Sequence, residues 1–202
     1  MHANEGDSAN TNVMTFAKTL QTQRQICPDD GDGVENYNCV QTFFEAVGNV
    51  SSAKTTHSEG VPNVLSNSSA GFADAVATAE AADQVLLFLG IDGTVEGEGK
   101  DRHSIGLPDG QMALAKAVIA ACATANKPVA VVLVNGGQLA VDWLAEHSPA
   151  IVEAWYPGIY GAASVANAVY GKSNRWGTFL LLELSPSLRS NPDEYGSSSE
   201  YV

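Results

Sequence analysis

Positive charge is scarce in this chain: 10 Lys and Arg stand against 23 Asp and Glu, giving a formal net charge of −13. Proteins grip a phosphate backbone with basic side chains that displace its counterions, so the balance argues against nucleic acid as a partner. No apolar run approaches the length of a bilayer span, and a membrane partner is not expected either. Residues 1–20 lack the cationic start and apolar middle of a signal peptide. Cysteine is sparse, with 3 in the chain. Cys27 and Cys39 flank a short polar loop where a disulfide is sterically easy, with two free thiols the equal alternative; Cys122 falls on a helix face and reads as core.

What is present is a globular balance, 45% hydrophobic and 16% charged over 202 residues, enough for one large domain with a proper core. Residues 1–14 are small and polar and read as a linker or cut edge. Residues 15–26 suit a short helix or an irregular crossover, and 28–38 form a loop rich in Asp and Gly. Asp29, Asp30 and Asp32 invite a calcium reading, but the spacing of a helix-loop-helix site with its terminal bidentate Glu is absent, so no metal is expected. Residues 40–47 read as a short helix feeding a variable connection to Ser69. Asn49-Val50-Ser51 and Asn67-Ser68-Ser69 fit the glycosylation acceptor pattern. With the possible disulfide they lean towards a secreted protein, its signal then belonging to a longer precursor.

From Gly71 the pattern becomes regular. Phe72, Ala75, Val76 and Ala79 recur at helical spacing before a strand at 85–89. A second helix starts at Asp109 or Gly110, carries Ala115, Val118, Ile119 and Cys122 on one stripe, and stops at Asn126-Lys127-Pro128. Residues 129–134 are a β-branched run without alternation, the mark of a strand covered on both faces. Gly136-Gly137 turns the chain; a helix at 139–146, a strand at 150–155 and a small-residue helix at 161–170 follow. The alternation predicts an α/β fold, a mostly parallel sheet with helices on both faces, flavodoxin-like in layout. A further strand at 179–184 and a disordered tail from 185 to 202 complete the reading.

The chemistry concentrates after the first of these strands. Asp92, Glu96, Glu98, Lys100, Asp101 and Arg102 lie within eleven residues of a glycine-spaced loop. In open α/β sheets ligands bind at loops leaving the carboxyl ends of strands. A solvated loop with internal ion pairs is the plain alternative.

The Ala-Asp before VLLFLGID, the loop VEGEGKDR, Leu107-Pro108 with Gln111, the KPVAVVLVNGG strand and turn, and AIVEAWYPGIYG come in a fixed order. In that order they resemble the C-terminal α/β sandwich domain of glycoside hydrolase family 3, of the β-xylosidase and β-glucosidase branches. The resemblance is close over 71–177 and loose over 15–70. It implies a retaining enzyme of two domains acting on small β-linked saccharides, with no cofactor. An N-terminal barrel would carry the aspartate nucleophile, and this domain would supply the general acid/base. That role falls on Glu98, with Glu96 as runner-up because loop lengths vary between branches. Retaining hydrolysis needs two carboxyl groups about 5–5.5 Å apart, so the barrel is expected outside this chain, which alone holds half of the pair. Flanking Gly97 and Gly99 let the Glu98 backbone bend across a domain boundary. Glu96 and Asp101 would favour a proton on Glu98, and Lys100 and Arg102 would oppose it. Asp101 and Arg102 either contact sugar hydroxyls or form a structural ion pair. Trp155, and Tyr156 beside it, either stack on a sugar ring or close the core. Beyond Gly177 the sequence leaves the family's usual continuation, and a truncated or frame-shifted reading would account for both ends. A carbohydrate-binding module that kept the fold without turnover is the competing function.

Overall fold

The computed structural model describes residues 11–14, 40–174 and 177, the first of these segments by its backbone alone. In chain order these form β1 (Thr11–Met14), α1 (Phe43–Val50), β2 (Thr55–His57), α2 (Phe72–Glu80), β3 (Gln84–Gly90), α3 (Asp109–Thr124), β4 (Val129–Val134), α4 (Asp142–His147), β5 (Ala150–Glu153) and α5 (Gly161–Val169). The five strands make one wholly parallel sheet in the order β2-β1-β3-β4-β5, the doubly wound order with its switch point between β1 and β3.

The centre of the sheet follows from two apolar runs. Val85 pairs with Val129, and the register runs without interruption to Gly90 opposite Val134. All of β3 after Gln84, and all of β4 except Ala130, is buried, which requires cover on both faces. Two helix pairs provide it, α1 with α5 and α2 with α3. Phe43 of α1 stacks at a tilt on Phe88 of β3, ring centroids 4.6 Å apart. Ala75 and Ala79 of α2, and Ala115, Val118 and Cys122 of α3, are wholly enclosed, and these small side chains let the helices approach closely. Each Leu or Val so buried stabilises the fold by about 1.5–3 kcal/mol before entropy is counted.

The helix ends have local causes. Thr42 opens α1 with a capping box: its hydroxyl accepts from the Glu45 N–H (3.2 Å), and the Glu45 carboxylate accepts from the Thr42 N–H (2.8 Å). The helix expected from residue 40 therefore begins at Phe43. Asn126 takes φ +53° after α3, and the Lys127 N–H reaches back to the Cys122 carbonyl at 2.8 Å, a left-handed C-terminal cap.

Three local expectations are corrected. Thr11–Met14 lies in the stretch read as a linker, yet it is the strand between β2 and β3. Four mixed residues carry no periodicity of their own, and the two neighbouring ladders hold them. The fourth helix starts at Asp142 rather than 139, because the Ala140 N–H donates to the Ile105 carbonyl (2.8 Å), which ties this stretch to the loop after β3. The last strand ends at Glu153 rather than 155, because Trp155 takes φ +53° with its N–H turned onto the Glu153 carboxylate at 3.0 Å. The Cys27–Cys39 pairing, the helix at 15–26, the Asp29, Asp30 and Asp32 cluster, the strand at 179–184 and the tail lie outside the described residues.

Candidate active site

The loop after β3 is built by short-range turns and then anchored by long-range contacts. The Ile91 N–H donates to the Val134 carbonyl (3.0 Å), so the chain still follows β4 as it leaves the sheet. Asp92 is buried; its carboxylate accepts from the Thr94 N–H (2.9 Å) and hydroxyl, and its carbonyl accepts from Val95 and Glu96 at 2.9 and 3.1 Å. That side chain is committed to folding the loop back. Lys100 donates its ammonium to the Gly93 carbonyl and its N–H to the Gly97 carbonyl (3.0 Å), closing a tight turn with Glu98 and Gly99 at its corners. Gly99 sits at φ +75°, which a side chain would strain.

The two candidate glutamates lie two residues apart in very different surroundings. Glu98 is exposed at the corner of the turn and makes no hydrogen bond or ion pair with the described residues. Glu96 points inward, its side chain 16% exposed. One carboxylate oxygen accepts from the backbone N–H groups of Gly136 (2.7 Å) and Gly137 (2.8 Å) and from the Tyr156 hydroxyl (3.0 Å). The other faces Arg102 Nη2 at 3.4 Å. A side chain at either glycine would collide here: a Cβ on Gly136 would fall 2.8 Å from Glu96 Oε1, and one on Gly137 2.4 Å from Oε2. The glycine pair after β4 is therefore a close approach as well as a turn.

Tyr156 has a half-exposed ring, but its hydroxyl turns inward between Glu96 and the Ile91 carbonyl, 3.1 Å away. Burial pushes the phenol well up, and the Glu96 carboxylate beside it pushes further, so Tyr156 stays protonated and donating. Arg102, expected either to contact sugar or to form an ion pair, is in the ion pair; its Nη1 is buried and has no hydrogen-bond partner among the described residues. Asn135, fully buried, donates to the Gly137 carbonyl (2.9 Å) and to Glu153 (3.5 Å). Polar contacts thus run from the loop after β3, across the end of β4, to the end of β5. Asp101 is exposed. Trp155 is half-buried and stands outside the hydrophobic core, after the carboxyl end of β5, the same end of the parallel strands from which the loop leaves β3.

Beneath the loop, Gln111 of α3 is fully buried and brackets the end of β3. Its carbonyl oxygen accepts from the Gly90 N–H (2.8 Å), and its amide donates to the carbonyls of Gly90 (2.8 Å) and Val64 (3.0 Å). Neither this bracket nor the roles of Asn135, Glu153 and the glycine pair is foreseen from the sequence. The available signals are a Gln at a position facing the core and two glycines directly after an apolar strand. Among the described residues no group of three or more His, Cys, Asp or Glu side chains is placed to hold a metal ion, and no helix is long and apolar enough to cross a membrane.

Comparison with known proteins converges on one family. Residues 4–184 match the model of the glycosyl hydrolase family 3 C-terminal domain. The chain is 36% identical over 115 residues to a β-xylosidase of Formosa agariphila, covering 57% of the chain and 15% of that protein. It is 37% identical over 128 residues to β-D-xylosidase 1 of Arabidopsis thaliana and, over the same length, to an exo-α-(1→6)-L-arabinopyranosidase of Bifidobacterium longum. These matches span 62% and 61% of the chain and 16% of either relative. The chain thus corresponds to about a sixth of the length of the curated relatives it matches. Among solved structures, a β-glucosidase of Listeria innocua in complex with isofagomine superposes with TM-score 0.66 at 26% identity, over 83% of this chain and 22% of that one. A family 3 exo-β-xylosidase bound to a xylobiose aziridine probe gives 0.65 at 25% identity, over 82% and 20%.

Proposed function

The chain belongs to the glycosyl hydrolase family 3 C-terminal domains, and from that premise we propose that it supplies the general acid/base of a retaining, exo-acting β-glycosidase. The substrates are small β-linked glucosides or xylosides, and the nucleophile is an aspartate on a separate barrel domain. The enzyme works outside the cell as part of a longer precursor.

The observation that carries the reading is the division of labour between the glutamates. Glu96 has both oxygens engaged by protein groups, whereas Glu98 stands exposed at the corner of a closed turn. A general acid needs a free oxygen that can reach the leaving group, which favours Glu98. In a double displacement Glu98 donates its proton to the glycosidic oxygen as the external aspartate attacks the anomeric carbon. The resulting carboxylate then takes a proton from the water that releases the sugar from the aspartate. Asp101, exposed three residues on, and Trp155, at the same carboxyl end of the strands, are the side chains we assign to sugar contact. Arg102 belongs to the framework behind them.

The test is hydrolysis of nitrophenyl β-glucoside and β-xyloside by this chain mixed with a family 3 barrel domain. Activity is expected in the mixture alone, and Glu98→Gln is expected to lower kcat/KM about 10²-fold or more. A mixture that associates but hydrolyses nothing would favour the carbohydrate-binding module. Full activity in Glu98→Gln would move the proton donor elsewhere.

A further inference from the structure

We infer that Glu96 is a positioning residue, a latch that fixes the loop presenting Glu98 to the ends of β4 and β5. The inference rests on the acid/base reading of Glu98 for its functional meaning, and on contacts independent of that reading for its geometry. Glu96 immediately precedes the turn that Gly97 and Lys100 close, and Arg102 follows shortly after it. The ion pair between Glu96 and Arg102 therefore ties the two ends of the turn together, with Glu98 between them. The same carboxylate accepts two consecutive backbone N–H groups from a segment 40 and 41 residues away, and a hydroxyl from a residue 60 away. A carboxylate held by several donors has little freedom to swing, and each charge-assisted bond is stronger than a neutral one.

The surroundings are shaped for this contact. Glycine at 136 and 137 leaves the space that the carboxylate fills. The Tyr156 hydroxyl, held between Glu96 and the Ile91 carbonyl, joins the start of the loop to the latch. A general acid misplaced by about 1 Å loses much of its effect, so holding the turn is a direct contribution to proton transfer.

Hydrogen exchange on the 202-residue chain tests the geometry. In Glu96→Ala the Gly136 and Gly137 amides should exchange at least about tenfold faster than in the parent. Glu96→Gln keeps an acceptor but sets an amide against Arg102, so it should fall between. Glu98→Gln should match the parent. Exchange in Glu96→Ala within twofold of the parent overturns the latch. If Glu96→Ala does not fold, Glu96→Gln and Tyr156→Phe are judged by the same amides, and unchanged rates in both overturn it.

Turnover with the added barrel tests the positioning role. Alkyl β-glycosides need a proton on departure and dinitrophenyl β-glycosides do not. Glu96→Gln should lose at least about tenfold more activity on the former than on the latter, with the same sense as Glu98→Gln and a smaller size. Equal loss on both substrates overturns the positioning role. If Glu98→Gln itself shows no such dependence, the acid/base reading fails instead, and the exchange result alone decides the latch. The exchange result likewise decides if the parent mixture is silent.

Discussion

The centre of the sheet and the loop that leaves it are held by opposite means. β3 and β4 are specified by many interchangeable apolar contacts, so that Leu87, Val131 and Val132 each have wholly enclosed side chains and no polar partner is needed. The loop from Ile91 to Arg102 has little apolar surface, and its shape depends on particular donors and acceptors: Asp92 for its first turn, Gly99 for its tip, Glu96 for its attachment. Under the proposed acid/base role, the contrast lets one short stretch serve both stability and chemistry. A redundant core tolerates an exposed carboxylate a few residues beyond its end, while a loop of single contacts can aim that carboxylate.

The comparison breaks most visibly if a core position is emptied. Leu87→Ala should lower stability by about 2–5 kcal/mol, read as the midpoint of chemical denaturation, while leaving the exchange of the Gly136 and Gly137 amides in the folded state unchanged. A loss below 1 kcal/mol would show that the strand is less tightly enclosed than its burial implies. Gln111 stands at the border between the two regions. Gln111→Ala leaves the buried N–H of Gly90 and two carbonyls unpaired, and should cost about 1–3 kcal/mol while also loosening the start of the loop, seen as faster exchange at Gly90. An effect on stability without any at Gly90 would place the bracket wholly within the core.

The smallest effect belongs to a polar device with no chemistry attached, the capping box of α1. Its hydrogen bonds from the Thr42 N–H and hydroxyl hold the Glu45 carboxyl below the usual carboxylate range. A folded-state pKa that is depressed adds stability above the unfolded pKa, and that stability is lost as pH falls through the folded value. Glu45→Gln should therefore flatten the acid side of the stability profile slightly, and Thr42→Ala should cost about 1 kcal/mol at neutral pH. Equal pH profiles for Glu45→Gln and the parent would remove the charged half of the box.

The regions also differ in how far they can be read from sequence. β3 and β4 show themselves because burial on both faces demands continuous apolar residues, α3 because its buried side chains recur at helical spacing, and the stop at Asn126-Lys127-Pro128 names its own cap. Within the loop, the tip is legible from Gly97 and Gly99. The anchor is not, since Glu96 meets its partners across 40 to 60 residues and nothing near Gly136 or Tyr156 marks them as donors to it. Resemblance brings both glutamates forward, and the geometry separates them. β1 escapes notice for a further reason: its four residues carry no pattern, and their place comes from the strands on either side.

That place has a consequence for how the domain is put together. β1 comes first among the described strands but lies inside the sheet, paired to β2 on one side and to β3 on the other. During synthesis it must wait, unpaired on one flank, until β3 emerges far downstream, so the sheet closes late and through long-range pairing. A shortened chain beginning at residue 15 would leave β2 without its neighbour and turn the inner flank of β3 into an open edge, an invitation to strand pairing between molecules. The stretch with the least distinctive sequence in the sheet is thus the one that makes it a single sheet.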